Sequence, residues 1–178
     1  VSTALLSSLF ALHFGSYGGD TVRVLYLLLG LSGALLFYTG NLLWIETRTK
    51  RARQPQDGVA MERPRHVRIV SALTLGVCLG CAAALPATLV FAHWFAPRLA
   101  NLNALHQGVY YTLFVASIAW AIWRGTERAA PGLLWFTALC NALVPLAVVL
   151  TPDPDGVLLG ATCTALALFF GWLAWRQR

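Results

Sequence analysis

The sequence predicts an all-α fold, a polytopic membrane helix bundle with five transmembrane helices. Of the 178 residues, 58% are hydrophobic and only 11% are charged, too few charges for the polar surface of a soluble domain of this size. Eleven of the thirteen basic residues fall in three short stretches that alternate with long apolar runs. Because Lys and Arg are retained on the cytoplasmic side of membrane proteins, this alternation also predicts an orientation.

Five apolar segments follow one another along the chain, and each is near or above the roughly 20 residues that a bilayer core requires. Apart from Arg23, near the start of the first segment, none contains Asp, Glu, Lys or Arg. The segments are residues 22–45, 69–95, 107–123, 132–150 and 157–175.

The three basic stretches set the predicted topology. They are residues 46–70, the link holding Arg124 and Arg128, and the C-terminal tail. With these on the cytoplasmic side, five spans place the C-terminus inside and the N-terminus outside, together with residues 97–105 and 151–156. We expect a multi-pass protein of the bacterial inner membrane, so that the outer side is the periplasm.

The chain divides into four parts on this pattern. Residues 1–20 form a periplasmic or interfacial lead-in that is too short to span, and residues 21–53 hold the first transmembrane helix. Residues 54–68 are a cytoplasmic basic linker, and residues 69–178 are a four-helix C-terminal membrane region. The first residue is not Met, and we expect the chain to be the C-terminal part of a longer polypeptide.

Small residues and a proline mark the second span. Gly76, Gly80 and Ala84 recur every four residues, which predicts a packing seam where a neighbouring helix approaches closely. Pro86 lacks a backbone N–H and frees the carbonyl of Ala82, which inside lipid must find a partner on an adjacent helix or in water.

The polar residues within the spans have structural explanations. Cys78 and Cys81 form a Cys-x-x-Cys deep in the second span, where a thiolate is disfavoured, and they are expected to be packing thiols. Pro145 frees the carbonyl of Asn141 in the fourth span. The Asn141 side chain beside this break is of a type found in transporters, but a helix–helix hydrogen bond is the simpler explanation.

Histidine is the residue type that points to chemistry. His13, His93 and His106 map to the same outer membrane boundary on the predicted topology, whereas His66 lies in the cytoplasmic linker. Neutral imidazole is a strong iron ligand, and a haem held between helices needs a histidine on one or both faces. The three boundary histidines are therefore candidate axial ligands of haem iron. The alternative is that they are ordinary interfacial polar residues.

Two arginines depart from the positive-inside pattern. Arg23 and Arg98 both lie near the outer boundary and within about ten residues of a candidate histidine. A guanidinium group there could pair with a haem propionate through two parallel hydrogen bonds. Snorkelling towards lipid phosphate explains these arginines equally well.

A family resemblance is carried by residues 10–53. This stretch contains His-x-Gly at 13–15, Gly-Gly at 18–19, Arg23, an apolar span with Gly30, Thr-Gly at 39–40, and Leu-Trp at 43–44 before basic residues. It resembles the PepSY-associated transmembrane family. Residues 103–111, with His106 among them, are similar to the C-terminal extension of longer members.

The resemblance implies a haem-dependent transmembrane oxidoreductase of the ferric-siderophore reductase type. Such a protein holds one or two haem b groups by histidine pairs and passes electrons from a cytoplasmic or membrane donor to a periplasmic iron–siderophore or other metal complex. His13 matches the motif histidine and Arg23 the motif arginine. Flavin or NAD(P)H would act only through a partner, because no Gly-rich dinucleotide loop occurs in a strand–helix context.

Other functions remain open on the sequence. The chain could be a non-catalytic membrane anchor or a transporter subunit that supports an upstream periplasmic domain, although no charged residue lies at mid-span as ion-coupled transport usually requires. The lipid bilayer is the expected partner, and assembly of several copies is left open. Nucleic acid is not expected, because the basic residues coincide with helix ends.

Overall fold

The computed structural model describes residues 19–53, 65–95, 98, 101–150 and 156–177. Five α-helices account for nearly all of these residues, and no strand occurs among them, so the predicted all-α class is confirmed. Most of the predicted lead-in and linker, residues 1–18 and 54–64, lies outside the described residues. The helices are α1 (Gly19–Arg53), α2 (Arg65–Phe95), α3 (Leu102–Arg124), α4 (Thr126–Leu150) and α5 (Gly156–Arg176).

Four of these helices, α1, α2, α4 and α5, are long and apolar enough to cross a membrane. The chain is therefore a membrane protein. Helix α3 is not in this group, since polar residues such as His106 and Gln107 lie near its start. It nevertheless packs along α2, and so it lies at the same depth in the bilayer as that spanning helix.

The chain forms two compact units, Val1–Thr47 and Arg48–Arg178. Within the first unit, the described side chains of α1 are exposed or half-buried. Its hydroxyl groups are satisfied inside the helix, because Ser32, Thr39 and Thr47 each donate to the carbonyl four residues earlier at 2.7 Å. Such internal bonding lets a helix carry hydroxyls in an apolar environment.

The four helices of the second unit pack in the order α3, α2, α4, α5. Neighbours in the chain are antiparallel: Gly76 and Cys81 of α2 lie against Ile118 and Tyr110 of α3, respectively. Helices α2 and α4 are parallel. We call the end where α2 and α4 begin the basic end, and the opposite end the histidine end.

The core of this four-helix bundle is built from small side chains. Its fully buried residues include Ala83, Ala84, Ala121, Ala129 and Ala174, whereas many Leu, Phe and Trp side chains are exposed. Alanine lets helix backbones approach closely, and exposed large apolar side chains suit contact with lipid. The distribution is the one expected for helices that associate within a bilayer.

The predicted packing seam on α2 is confirmed, and α3 is the helix that lies against it. A Cβ placed on Gly76 would lie 2.7 Å from the Cα of Ile118, and one on Gly80 would lie 2.9 Å from the Cβ of Ser117. Both distances are too short for carbon atoms in contact, which are optimal near 3.5–4.0 Å. The backbones of α2 and α3 approach this closely only because both positions are glycine.

A polar bridge joins α2 to α4 in the middle of the bundle. The Asn141 amide donates to the carbonyl of Ala82 at 3.1 Å and to that of Thr137 at 2.9 Å. The Ala82 carbonyl is the one that Pro86 leaves without a helical donor, so Asn141 supplies the missing bond. The predicted helix–helix hydrogen bond is confirmed.

Candidate functional site

Two of the predicted site residues lie where the structure gives no side-chain geometry. His13 is outside the described residues, and Arg23 belongs to α1 but its side chain is outside them. Their predicted roles as haem ligand and propionate partner stay predictions.

His93 lies near the end of α2, in its last turn. Its side chain is exposed, and its ring meets the neighbouring Trp94 ring edge-on, with the centroids 5.8 Å apart. Phe91 stacks on Phe95 in the same turns, at 5.9 Å. An imidazole among exposed aromatic rings at a helix end matches the composition of a membrane–water interface.

His106 lies in the second turn of α3 and is half-buried. The start of this helix is fixed by Asn101, whose side-chain oxygen accepts a hydrogen bond from the backbone N–H of Ala104 at 3.0 Å. Asparagine at this position satisfies a donor that the first helical turn leaves free. The cap therefore determines which residues of α3 lie closest to the histidine end.

The register between α2 and α3 separates the two histidines along the bundle axis. In this antiparallel pair, Gly76 faces Ile118 and Cys81 faces Tyr110. Counting along both helices from these two contacts places His106 level with residues 85–88 of α2. His93 therefore lies about 8–12 Å nearer the histidine end, at the 1.5 Å rise of a helix. The two residues share one end of the bundle but not one level.

Arg98 lies in the connection between α2 and α3, in a 3₁₀ conformation, and its side chain is exposed. It belongs to the same end of the bundle as His93. An exposed guanidinium at this position can reach water, lipid phosphate or a carboxylate.

The donor chemistry of the imidazoles suits haem iron, but this geometry does not suit a haem shared by His93 and His106. A haem shared by this pair would need both imidazoles to reach one iron, and the register separates them along the bundle axis. Among the described residues, no group of three His, Cys, Asp or Glu is placed to hold a metal ion. Such a group would form a metal site with several protein ligands, whereas haem iron needs only one or two.

Histidine does not line either of two cavities formed by described residues of the bundle. The smaller, ≈ 310 Å³, is an apolar groove between α3 and α4 bordered by Trp120, Leu133 and Phe136. The larger, ≈ 700 Å³, lies at the basic end. Its walls include Arg65, Arg68, Arg124 and Arg128.

The convergence of these four arginines is the feature that the sequence did not reveal. The sequence places each in a basic stretch that sets orientation, and the structure brings these four residues together at one end of the bundle. One signal in the sequence is the three-residue spacing of Arg65 and Arg68, which places both on one face of α2. Arg124 and Arg128 belong to α3 and α4, and the one-residue link at Gly125 brings them together.

Comparison with known families bears on the first part of the chain. Residues 1–47 match the family model of the PepSY-associated TM region. This range contains His13 and Arg23 and most of the stretch on which the resemblance was based. Neither a curated protein nor a solved structure matches the chain.

Proposed function

We propose that the chain is the membrane part of a haem-binding electron-transfer protein, and that residues 1–47 carry the first haem ligand. The observation that carries this proposal is the match of residues 1–47 to the PepSY-associated TM region. The offset between His93 and His106 argues against a haem shared by that pair, and His13 is the candidate that lies in the matched range.

The residues of the chain would act by binding and by charge. The His13 imidazole would hold the haem iron, and the Arg23 guanidinium would pair with a carboxylate of the bound group. A bound haem b would supply one-electron redox chemistry. His93, His106 and Arg98 belong to the histidine end and could contact a second haem or the lipid interface.

The proposed setting is the bacterial inner membrane, with the N-terminus of the chain periplasmic and its C-terminus cytoplasmic. A cytoplasmic or membrane donor would supply electrons, and an oxidised metal complex in the periplasm, such as a ferric siderophore, would accept them. Flavin or NAD(P)H would bind the donor. The four-helix bundle would hold this assembly in the membrane.

The absorbance spectrum of the purified full-length protein tests this proposal. We expect a Soret band, and we expect His13→Ala to lose most of it, because the substitution removes an iron ligand. His66→Ala is a matched control, since His66 is exposed in the first turn of α2 at the basic end. Full haem content in His13→Ala would remove His13 from the ligand set.

A second candidate function is a membrane anchor without a cofactor, and the closed packing of the bundle favours it. The core is filled by alanine, and the mid-span amide of Asn141 is engaged by two backbone carbonyls. This engagement also speaks against transport, because the amide has no donor left for a substrate. A colourless wild-type protein supplied with haem during expression would favour the anchor.

A further inference from the structure

Four arginines surround one cleft at the basic end of the bundle. The cleft has a volume of ≈ 700 Å³, and its walls combine Arg65 and Arg68 of α2 with Arg124 and Arg128 beside the α3–α4 link. Among the described residues that line the cleft, Glu127 is the single acidic one. The lining therefore carries a surplus of positive charge, and an anion is the ligand that it would attract.

The backbone explains why the arginines converge. Gly125 is the single residue between α3 and α4, and its φ of 75° with ψ of 155° is a conformation essentially restricted to glycine. The Gly125 carbonyl accepts the N–H of Ala129 at 3.0 Å and so begins the helical bonding of α4. This tight reversal holds Arg124 and Arg128 beside the first turn of α2.

Aromatic rings hold one of the guanidinium groups. The Arg124 guanidinium carbon lies 4.9 Å from the centre of the Trp120 ring and 5.8 Å from that of Trp123. Cation–π contacts at these distances are favourable and restrict the freedom of a long side chain. Less conformational entropy is then lost when Arg124 binds a ligand.

The wall of the cleft on the bilayer side is apolar. Ile69, Ile122 and Trp123 line it, and the Trp123 side chain is 77% exposed. The arginine side chains of the cleft therefore lie next to an apolar surface that suits a hydrocarbon chain. A molecule with an anionic head and an acyl chain would satisfy both parts, whereas a small anion would use only the arginines.

We propose that this cleft binds a phosphate group, and that the phosphate is the headgroup of an anionic phospholipid. Guanidinium groups bind phosphate oxygens through paired hydrogen bonds, and basic pockets between helix ends are suited to anionic headgroups. The site lies at the opposite end of the bundle from His93 and does not depend on the haem proposal.

The test is the melting temperature of the full-length protein in neutral detergent with increasing phosphatidylglycerol. A parallel series uses phosphatidylcholine, and a third uses inorganic phosphate. We expect phosphatidylglycerol to raise the melting temperature more than phosphatidylcholine does, because a ligand that binds only the folded state stabilises it. Equal stabilisation by inorganic phosphate would identify free phosphate as the source.

The double variant Arg68→Gln/Arg128→Gln removes one arginine from each side of the cleft. We expect the lipid concentration for half-maximal stabilisation to rise about tenfold or more, since each basic residue at a membrane surface contributes appreciably to anionic-lipid binding. Arg176→Gln is the matched control, because Arg176 stacks on Trp172 at 4.4 Å and does not line the cleft. We expect its lipid response to equal that of the wild type.

Two outcomes would overturn the proposal. One is a wild-type melting temperature that responds equally to phosphatidylglycerol and phosphatidylcholine and not at all to inorganic phosphate. The other is a double variant that responds to phosphatidylglycerol as the wild type does. If the double variant does not fold, the single variants Arg68→Gln and Arg128→Gln provide the comparison, with circular dichroism confirming their helical content.

Discussion

The Asn141 side chain supplies a hydrogen bond that a proline removes from a neighbouring helix. Pro86 removes a backbone donor from α2, and the Asn141 amide of α4 donates to the carbonyl that is left, at 3.1 Å. In lipid no water is at hand to do this, and an unsatisfied carbonyl costs several kcal/mol. The residue is 2% exposed, so its bonds are made entirely within the protein.

Replacing Asn141 by Leu keeps a similar side-chain volume and removes both donors. We expect this variant to lose about 1–2 kcal/mol of unfolding free energy, the upper range for interhelical hydrogen bonds in membranes. Titration with a denaturing detergent in mixed micelles measures the change. Thr162→Val is the control, because the Thr162 hydroxyl is exposed and bonds only to Leu158 of its own helix.

The amino-acid sequence predicts the acceptor of this hydrogen bond, the Ala82 carbonyl. A proline within an apolar run always frees the carbonyl four residues earlier, so the need for a donor at Ala82 follows from local rules. Which helix supplies the donor depends on the order of helices in the bundle, and no local rule states it. An unchanged stability of Asn141→Leu would show that the Ala82 carbonyl finds another partner.

At the scale of the element, α2 is one of the two inner helices of the bundle, because it packs against both α3 and α4. Glycine at positions 76 and 80 allows the close approach of α3. The four-residue spacing predicted this seam correctly, since residues four apart share a helix face. It could not identify α3 as the neighbour, because the other helices also offer small residues.

The substitution Gly76→Ala tests the close approach of α2 and α3. The added Cβ would lie 2.7 Å from a backbone atom of Ile118, which cannot rotate away. We expect a loss of about 1–3 kcal/mol of unfolding free energy from overpacking. Gly108→Ala on α3 is the matched control, because a Cβ there meets nothing within 4 Å. Equal stability of the two variants would contradict the seam.

At the scale of the whole second unit, charge separates the two ends of the bundle. Arg65, Arg68, Arg124 and Arg128 gather at the basic end, and His93 lies at the other. The sequence predicted which basic residues share a side, because helices that alternate in direction bring alternate links together. It did not predict the depth of His106, since that depends on the register between α2 and α3.

Reporter fusions test the orientation of the whole chain. We expect green fluorescent protein to be fluorescent when fused after Arg178, on the cytoplasmic side. Alkaline phosphatase, which needs the oxidising periplasm for its disulfides, should be active when inserted within residues 151–155. An active phosphatase at the C-terminus, with an inactive one at 151–155, would reverse the predicted topology.

The one-residue link at Gly125 has a consequence for biogenesis. Helix α3 is less apolar than α4, which is long and apolar enough to cross a membrane. Because only one residue links the two helices, they leave the translocon together and stay side by side. We therefore expect α3 to enter lipid as one arm of a helical hairpin, with the hydrophobicity of α4 contributing to the insertion of both.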